Sequence, residues 1–344
     1  MLGTSKIKSI KPVGLGTVCD ITVAGDHSYI GNGIINHNSR SPNMQNIPRH
    51  LTAPDIKPMF VAPEGYLIAE LDYSQAELRI VAELAKEDKM IAYFQKGYNI
   101  HVAVAVDAEN VRTGKSYKYE DIYPITKDEN HPDHDFWTKK KKNAKTINFG
   151  ILYEQSPAKL AETMNKEIKT GKKVTVAEAT EFRLDWLKTF SKIGKWIDGQ
   201  HKKVRRDGYV MSMWGAKRRL PAIYSDNKGV RMEAERQSVN SVIQGAASCF
   251  TLFSAIIIEE YRMQGKIPLD RPMIYTVHDS LGYYVRKDMI HEFAKIAIPI
   301  CANPQTQEYF GFQMKHVPMK ASLECGIDWG NKSDYSSKTD YTKL

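Results

Sequence analysis

Apolar residues change their spacing at about residue 39, and the change divides the chain into two textures. Ahead of it the pattern is short and β-prone. Val18-Cys19-Asp20-Ile21-Thr22-Val23 ends at Gly25-Asp26, and Tyr29-Ile30 runs into the turn dipeptide Asn32-Gly33. Behind it, apolar side chains recur every three or four positions over 75–96, 138–165, 174–206 and 230–263, the spacing of amphipathic helices. Two strand-like stretches interrupt this rhythm, 66–71 and 273–277 followed by 281–285, and both carry carboxylates at their ends. The tail over 331–344 is polar and is expected to fray. Helices and strands arranged in this way predict an α+β fold, and no internal repeat is visible.

A chain of 344 residues has room for two or three domains, and its 42% hydrophobic content places it among globular rather than disordered proteins. No run reaches the roughly 20 uninterrupted apolar residues of a membrane span. Residues 1–11 lack the apolar core of a secretory signal, so a cytoplasmic protein without a membrane partner is expected. Cys19, Cys249, Cys301 and Cys325 form no CxxC pair and stand at no zinc spacing; they read as small apolar residues. The net charge of +9 would draw in a polyanion. Basic residues usually form a solvated face, but here they concentrate at 139–142, 201–206 and 217–219, around the motifs described next.

The first candidate chemistry is His37-Asn38-Ser39. The Asn38 side-chain amide can attack its own carbonyl carbon, His37 can act as acid or donor on the carbonyl or the leaving amide, and Ser39 Oγ can accept an acyl group. In isolation the tripeptide is most simply a polar loop. Preceded by TVCDITVAGDHSYIGNG over 17–33, it resembles the two C-terminal sequence blocks of inteins, with Asp20 and His27 at the family's assisting Asp and His positions. With Met1 so close ahead of Asn38, the stretch resembles the C-terminal fragment of a split intein. That resemblance implies an N-terminal fragment on a separate chain, passage of its extein to Ser39, cyclisation of Asn38, and a new peptide bond in front of Ser39.

Two further runs follow, Ser41-Pro42-Asn43-Met44-Gln45-Asn46-Ile47-Pro48 and Leu71-Asp72-Tyr73-Ser74-Gln75-Ala76-Glu77-Leu78-Arg79. Asp72 closes an apolar strand ahead of a helix, where a carboxylate can be held rigidly at a cleft; an Asp before Ser and Gln also suits a helix N-cap. Lys141, Lys145, Phe149 and Tyr153 recur at intervals of four. On one helix face they offer two cations for a triphosphate and two rings for a base and sugar, although a basic amphipathic helix with a buried aromatic stripe has the same spacing. Tyr275-Thr276-Val277-His278-Asp279-Ser280-Leu281-Gly282-Tyr283 reads as a hairpin with Asp279 at its tip. Arg236, Asn240 and Gln244 again lie four apart, and donors so placed can reach the minor-groove acceptors that every base pair presents.

Together these runs resemble motifs A, B and C of polymerase I type (family A) DNA polymerases. The likeness extends through GAKRRLP at 215–221 and ECGIDW at 324–329, and so covers nearly all of 39–330. It implies a polymerase palm, an antiparallel sheet with helices, from 39–85 and 215–344, and helical fingers over 86–214. A small β segment of an intein fold would precede them at 1–38. The implied activity is template-directed DNA synthesis on a primer-template with dNTP substrates, with two Mg²⁺ ions held by Asp72 and Asp279. Lys145 would bind and partly neutralise the triphosphate and Lys141 would reach its end. Phe149 and Tyr153 would frame the nucleoside, and Glu77 would lie against the sugar and exclude ribonucleotides. Arg236, Asn240, Gln244 and His278 would face the DNA.

Two residues depart from the family pattern: Ser280 stands where Glu usually follows the motif C Asp, and Glu154 where Gly commonly follows the motif B Tyr. The family's thumb, any exonuclease and a Thr-Gly-Arg signature belong ahead of the position of Ser39. The split gene and the two departures suggest a virus-encoded enzyme. A second class of function is a nucleic-acid-binding subunit without catalysis, which Ser280 and the missing thumb favour. Binding alone, however, needs none of Asp72, Asp279, Lys145 and Tyr153 in these positions.

Overall fold

The computed structural model describes residues 57–166, 173–302, 311 and 314–344, together with the backbone of two strands at 28–31 and 34–37. These two, β1 (Ser28–Gly31) and β2 (Ile34–His37), pair antiparallel with Ser28 opposite His37, the hairpin that Asn32-Gly33 predicts. Asp20, His27, Asn38, Ser39 and the run at 41–48 lie outside the described residues.

Next come β3 (Tyr66–Tyr73), α1 (Ala76–Ala85), α2 (Asp88–Gln95), α3 (Ile100–Thr113) and α4 (Tyr119–Ile125). They are followed by α5 (His134–Leu152), α6 (Pro157–Lys166), α7 (Val176–Thr189), α8 (Ser191–Asp207) and a small hairpin of β4 (Tyr209–Met211) and β5 (Lys217–Arg219). The chain closes with α9 (Lys228–Met263), β6 (Tyr275–Val277), β7 (Ser280–Arg286), α10 (Ile290–Ala302), β8 (Ala321–Gly326) and β9 (Ser333–Asp334).

The main sheet has the order β6-β7-β3-β8-β9, with every neighbouring pair antiparallel. Alternation along β3 sends Leu67, Ala69, Leu71 and Tyr73 into the core formed with α1, α9 and α10, where Phe250 and Phe293 are fully buried. Glu70 and Asp72 therefore share the opposite face. A separate apolar cluster of Val102, Val106, Ile122 and Trp137 joins α3, α4 and α5, while Ala144, Ile151 and Leu152 tie the basic helix into the main core.

Each predicted helical run is present, and three of the four are broken. The first stops at Lys86, whose φ of +51 forms a left-handed cap, and restarts as α2. The second breaks at 153–156 and the third at Phe190. The fourth is continuous, with the Asn227 side chain capping the amides of Gly229 and Val230.

Two expectations are corrected. Asp72 is not a helix N-cap: it belongs to β3, and α1 begins after Gln75, which makes no side-chain cap. The tail is docked rather than frayed, because β9 pairs with β8, Tyr341 is buried, and Tyr335 stacks on Tyr341 with ring centroids 5.9 Å apart. Helix α9 has no uninterrupted apolar run of membrane length, although by length and average composition alone it could cross a membrane. Here it serves as a core helix packed against α1, α8 and α10. Of the cysteines, Cys249, Cys301 and Cys325 are free thiols, the last two buried, as expected for small apolar residues; Cys19 is not among the described residues.

Candidate active site

Asp72 sits where three strands meet. In the ladder it lies opposite Ser280 of β7 and Ser322 of β8, so its position follows from backbone pairing on both sides. Val277 pairs with Ser280, leaving His278 and Asp279 as a two-residue turn in which His278 takes a φ of +55. The turn brings Asp279 to Asp72, and the two carboxyl groups hydrogen-bond to each other. Burial first, then the charges of Asp279, Glu70 and Glu324, push Asp72 up to about 7 against the pull of Lys332. Asp279 is raised too, chiefly by burial, although its own backbone amide, His278 and the Asp72 hydrogen bond favour its charged form.

Two carboxylates forced together out of water hold a proton unless a cation replaces it. That donor set fits a hard divalent ion. Among the described residues no group of three or more His, Cys, Asp or Glu side chains placed to hold a metal forms.

Glu70, two residues before Asp72 on the same strand, accepts hydrogen bonds from Tyr275 Oη and, at 2.8 Å, from Trp329 Nε1. Lys332 Nζ makes ion pairs with Glu70 at 2.6 Å and with Glu324 at 3.2 Å, almost fully buried. Tyr275 can cross to Glu70 only because residue 282 is glycine: a Cβ there would meet the Tyr275 ring at 2.3–2.5 Å.

The second half of the site is α5. Its inner face buries Trp137, Ala144, Asn148 and Ile151; Lys141 is half-buried at the edge of that stripe, and Lys145 and Phe149 turn progressively away from it, Lys145 exposed. The helix ends at Leu152, so Tyr153 is its cap rather than a further helical turn. Tyr153 stacks beside Phe149 with centroids 6.1 Å apart and planes 19° from parallel. Its hydroxyl donates to Glu77 Oε2 at 2.7 Å and also meets Gln244. Burial, opposed by that hydrogen bond and aided by the charge of Asp279, raises Glu77. The Tyr153 hydroxyl is raised by burial and by Glu77. Helix α1, the end of the basic helix and α9 thus converge at Tyr153.

Gln244 is exposed at this junction. Asn240 and Arg236 follow on the same face of α9, the latter about 12 Å away at 1.5 Å per residue. Arg236 Nε pairs with Glu233 at 3.0 Å. His278 is exposed at the tip of its turn.

Residues 36–331 match the profile of DNA polymerase family A. The chain belongs to that family. It is 32% identical over 303 residues to the DNA polymerase of Bacillus phage SP01, covering 85% of this chain and 30% of that protein. With the thermostable DNA polymerase I of Thermus thermophilus the identity is 30% over 292 residues, with the same coverage of each. The chain therefore spans less than a third of the length of these curated relatives. Among solved structures it resembles the POL domain of Pol1 from M. smegmatis, in complex with DNA primer-template and dNTP. The TM-score is 0.66 and the identity 25%, over 85% of this chain and 45% of that one.

Three residues around this cluster escape sequence reasoning. His101 packs 5.7 Å from the Phe149 ring. Trp186 Nε1 donates to Asn148 Oδ1 at 2.6 Å, which turns the Asn148 amide nitrogen toward His101 Nδ1, 2.9 Å away, and leaves Nε2 to carry the imidazole proton. Burial, then Lys145 and Lys141, hold His101 down at about 3, so it stays a neutral donor. Glu70 and Lys332 are the other two, and neither has a local signal: one sits inside a strand, the other in a polar tail. Of the departures, Ser280 is buried and its hydroxyl donates to Val277 O at 2.9 Å, tightening the turn that carries Asp279.

Proposed function

We propose that this chain carries the nucleotidyl-transfer site of a template-directed DNA polymerase. The observation that carries the reading is the convergence of Asp72, Asp279, Glu77 and Tyr153 from one strand, a turn and two helices. On this reading the sheet with α9 is the palm and α2 to α8 form the fingers.

Asp72 and Asp279 would hold two Mg²⁺ ions, which when bound lower the pKa of the primer 3′-hydroxyl and offset charge on the phosphates. The chain's own residues do the rest. Lys145 and Lys141 bind the triphosphate as point charges, with His101 donating beside them. Phe149 lies against the nucleoside. Glu77, fixed by Tyr153, fills the space where a ribose 2′-hydroxyl would sit, and a buried carboxylate already paired gives that hydroxyl no partner. Arg236, Asn240 and Gln244 line the approach of the primer-template, and His278 faces the primer end. A binding subunit without catalysis would not require a proton-sharing carboxylate pair, and that pair favours the enzyme.

The test is primer extension by the complete polymerase containing this chain. Extension should require a divalent ion and all dNTPs complementary to the template. Asp279→Ala should abolish it while primer-template binding persists. Loss of both together would favour the binding reading.

We further propose that 1–38 act as the C-terminal part of a split intein that joins this chain to its N-terminal partner. The His37-Asn38-Ser39 run supports this. Mass spectrometry of the chain mixed with a candidate partner should show a ligated product whose junction precedes Ser39. An unligated mixture that still extends primers would mean that the halves work by assembly alone.

A further inference from the structure

The Glu154 side chain is almost fully covered and its backbone strained, and none of the chemistry above uses it. Its φ of +48 lies in the left-handed region, which a residue with a Cβ adopts reluctantly. Its side chain is 7% exposed, a poor place for a carboxylate without a partner. The partner is His201 of α8, whose Nε2 lies 3.0 Å from Glu154 Oε2. One turn further along α8, Arg205 pairs with Glu235 of α9 at 2.6 Å. Helix α8 is therefore fastened at one point to the end of α5 and at another to the helix that bears Arg236.

The residue so fastened follows Tyr153 directly. The turn it belongs to is closed by Glu154 N donating to Ile151 O at 2.9 Å and Gln155 N donating to Gly150 O at 2.8 Å. Arg183 holds the carbonyl of Gln155 at 3.0 Å. With the backbone bonded on both sides, the Glu154 side chain fixes the direction in which Tyr153 leaves the helix. A glycine at 154 would relieve the strain and lose that hold.

We propose that Glu154 and His201 form a positioning pair that keeps Tyr153 against Glu77 and so sets how tightly the site grips an incoming nucleotide. The proposal rests on the nucleotide-addition reading for its consequence, although the contact can be tested without turnover. Neither residue touches the reacting groups. The charges acting on His201 are Glu154 at the end of α5, Glu235 on α9 and Arg205 on α8 itself. Burial draws its pKa down, but the hydrogen bond and charge of Glu154, with Glu235, outweigh burial and Arg205, so the net direction is upward. The pair is ionic while His201 is protonated and weakens as the pH rises past its titration.

The experiment compares wild type with Glu154→Gln, Glu154→Gly, His201→Gln and His201→Lys in the complete polymerase from pH 6 to 9. Single-nucleotide incorporation and equilibrium binding of a fluorescent dNTP are both measured. Glu154→Gln and His201→Gln should raise KM and weaken dNTP binding at least about tenfold at low pH, the size of one charge-assisted hydrogen bond, with kcat nearly constant. Both should also flatten the rise in KM with pH that wild type shows. His201→Lys should restore the grip and remove its pH dependence. Glu154→Gly should unfold no more easily than wild type yet still bind dNTP weakly, which separates positioning from stability. Wild-type affinity and an unchanged pH profile in all four variants would overturn the pair. Wild-type protein that binds dNTP but adds none would instead sink the catalytic reading, leaving the binding comparison to decide this one.

Discussion

The two halves of the site are held in different ways. Asp72 and Asp279 are positioned by backbone: one in a ladder bonded on both sides, the other in a two-residue turn between paired strands. Tyr153 and Phe149 stand at the end of a helix, and what fixes Tyr153 is a set of side-chain contacts from Glu77, Gln244 and the segment after it. Backbone ladders give way together or not at all, whereas side-chain contacts can be exchanged one at a time. The sheet side therefore suits chemistry that tolerates no displacement, and the helix side suits a grip that can be adjusted.

Changes on the helix side should alter nucleotide handling without unfolding the protein. The largest effect expected there is from Lys145→Ala, which should lower kcat/KM for dNTP about 100-fold by removing a cation from the triphosphate, with unchanged thermal stability. Sheet-side changes should act on the fold first. Gly282→Ala must displace the Tyr275 ring and its bond to Glu70, and should cost about 2 kcal/mol in denaturant unfolding. A Gly282→Ala protein of unchanged stability would show the Tyr275 bond to Glu70 to be dispensable.

A smaller effect sharpens the contrast at the junction. Tyr153→Phe leaves Glu77 without its donor, so KM for dNTP should rise about tenfold and rejection of ribonucleotides should weaken in competition assays.

The smallest effect is one of pH. The folded carboxylate pair binds its proton more tightly than separate unfolded carboxyls do, so folding is least favoured where that proton is lost. Without divalent ions, stability should fall by about 1–2 kcal/mol as the pH rises from 4 toward 7 and beyond, and adding Mg²⁺ at pH 8 should restore it. Thermal melts at pH 5 and pH 8, with Mg²⁺ and with a chelator, read this directly.

Much of this contrast was legible in the sequence because its chemistry is local. The strand before Asp72, the hairpin around Asp279 and the four-residue spacing from Lys141 to Phe149 each announce themselves within about a dozen residues. Helix α3 did not: Ile100 to Val106 alternates β-branched and small residues in a strand-like way, and only its burial on nearly all sides explains a helix with so little amphipathic period. His101 was lost with it. Glu70, Lys332 and the Glu154 pair were hidden for another reason. Each owes its meaning to a partner more than 40 residues away, which spacing within a motif cannot reveal. The tail misled by composition, since its Lys332 is buried in ion pairs with Glu70 and Glu324 instead of facing solvent.

The most direct test of the central claim is a double-mutant cycle on Asp72→Ala and Asp279→Ala, read by single-nucleotide incorporation in Mg²⁺ by the complete polymerase. If the two carboxylates act as one unit, each single variant should lose at least about a thousandfold in rate and the double variant scarcely more, with primer-template affinity preserved throughout. Losses that simply add, or a single variant that retains incorporation within about tenfold of wild type, would contradict it.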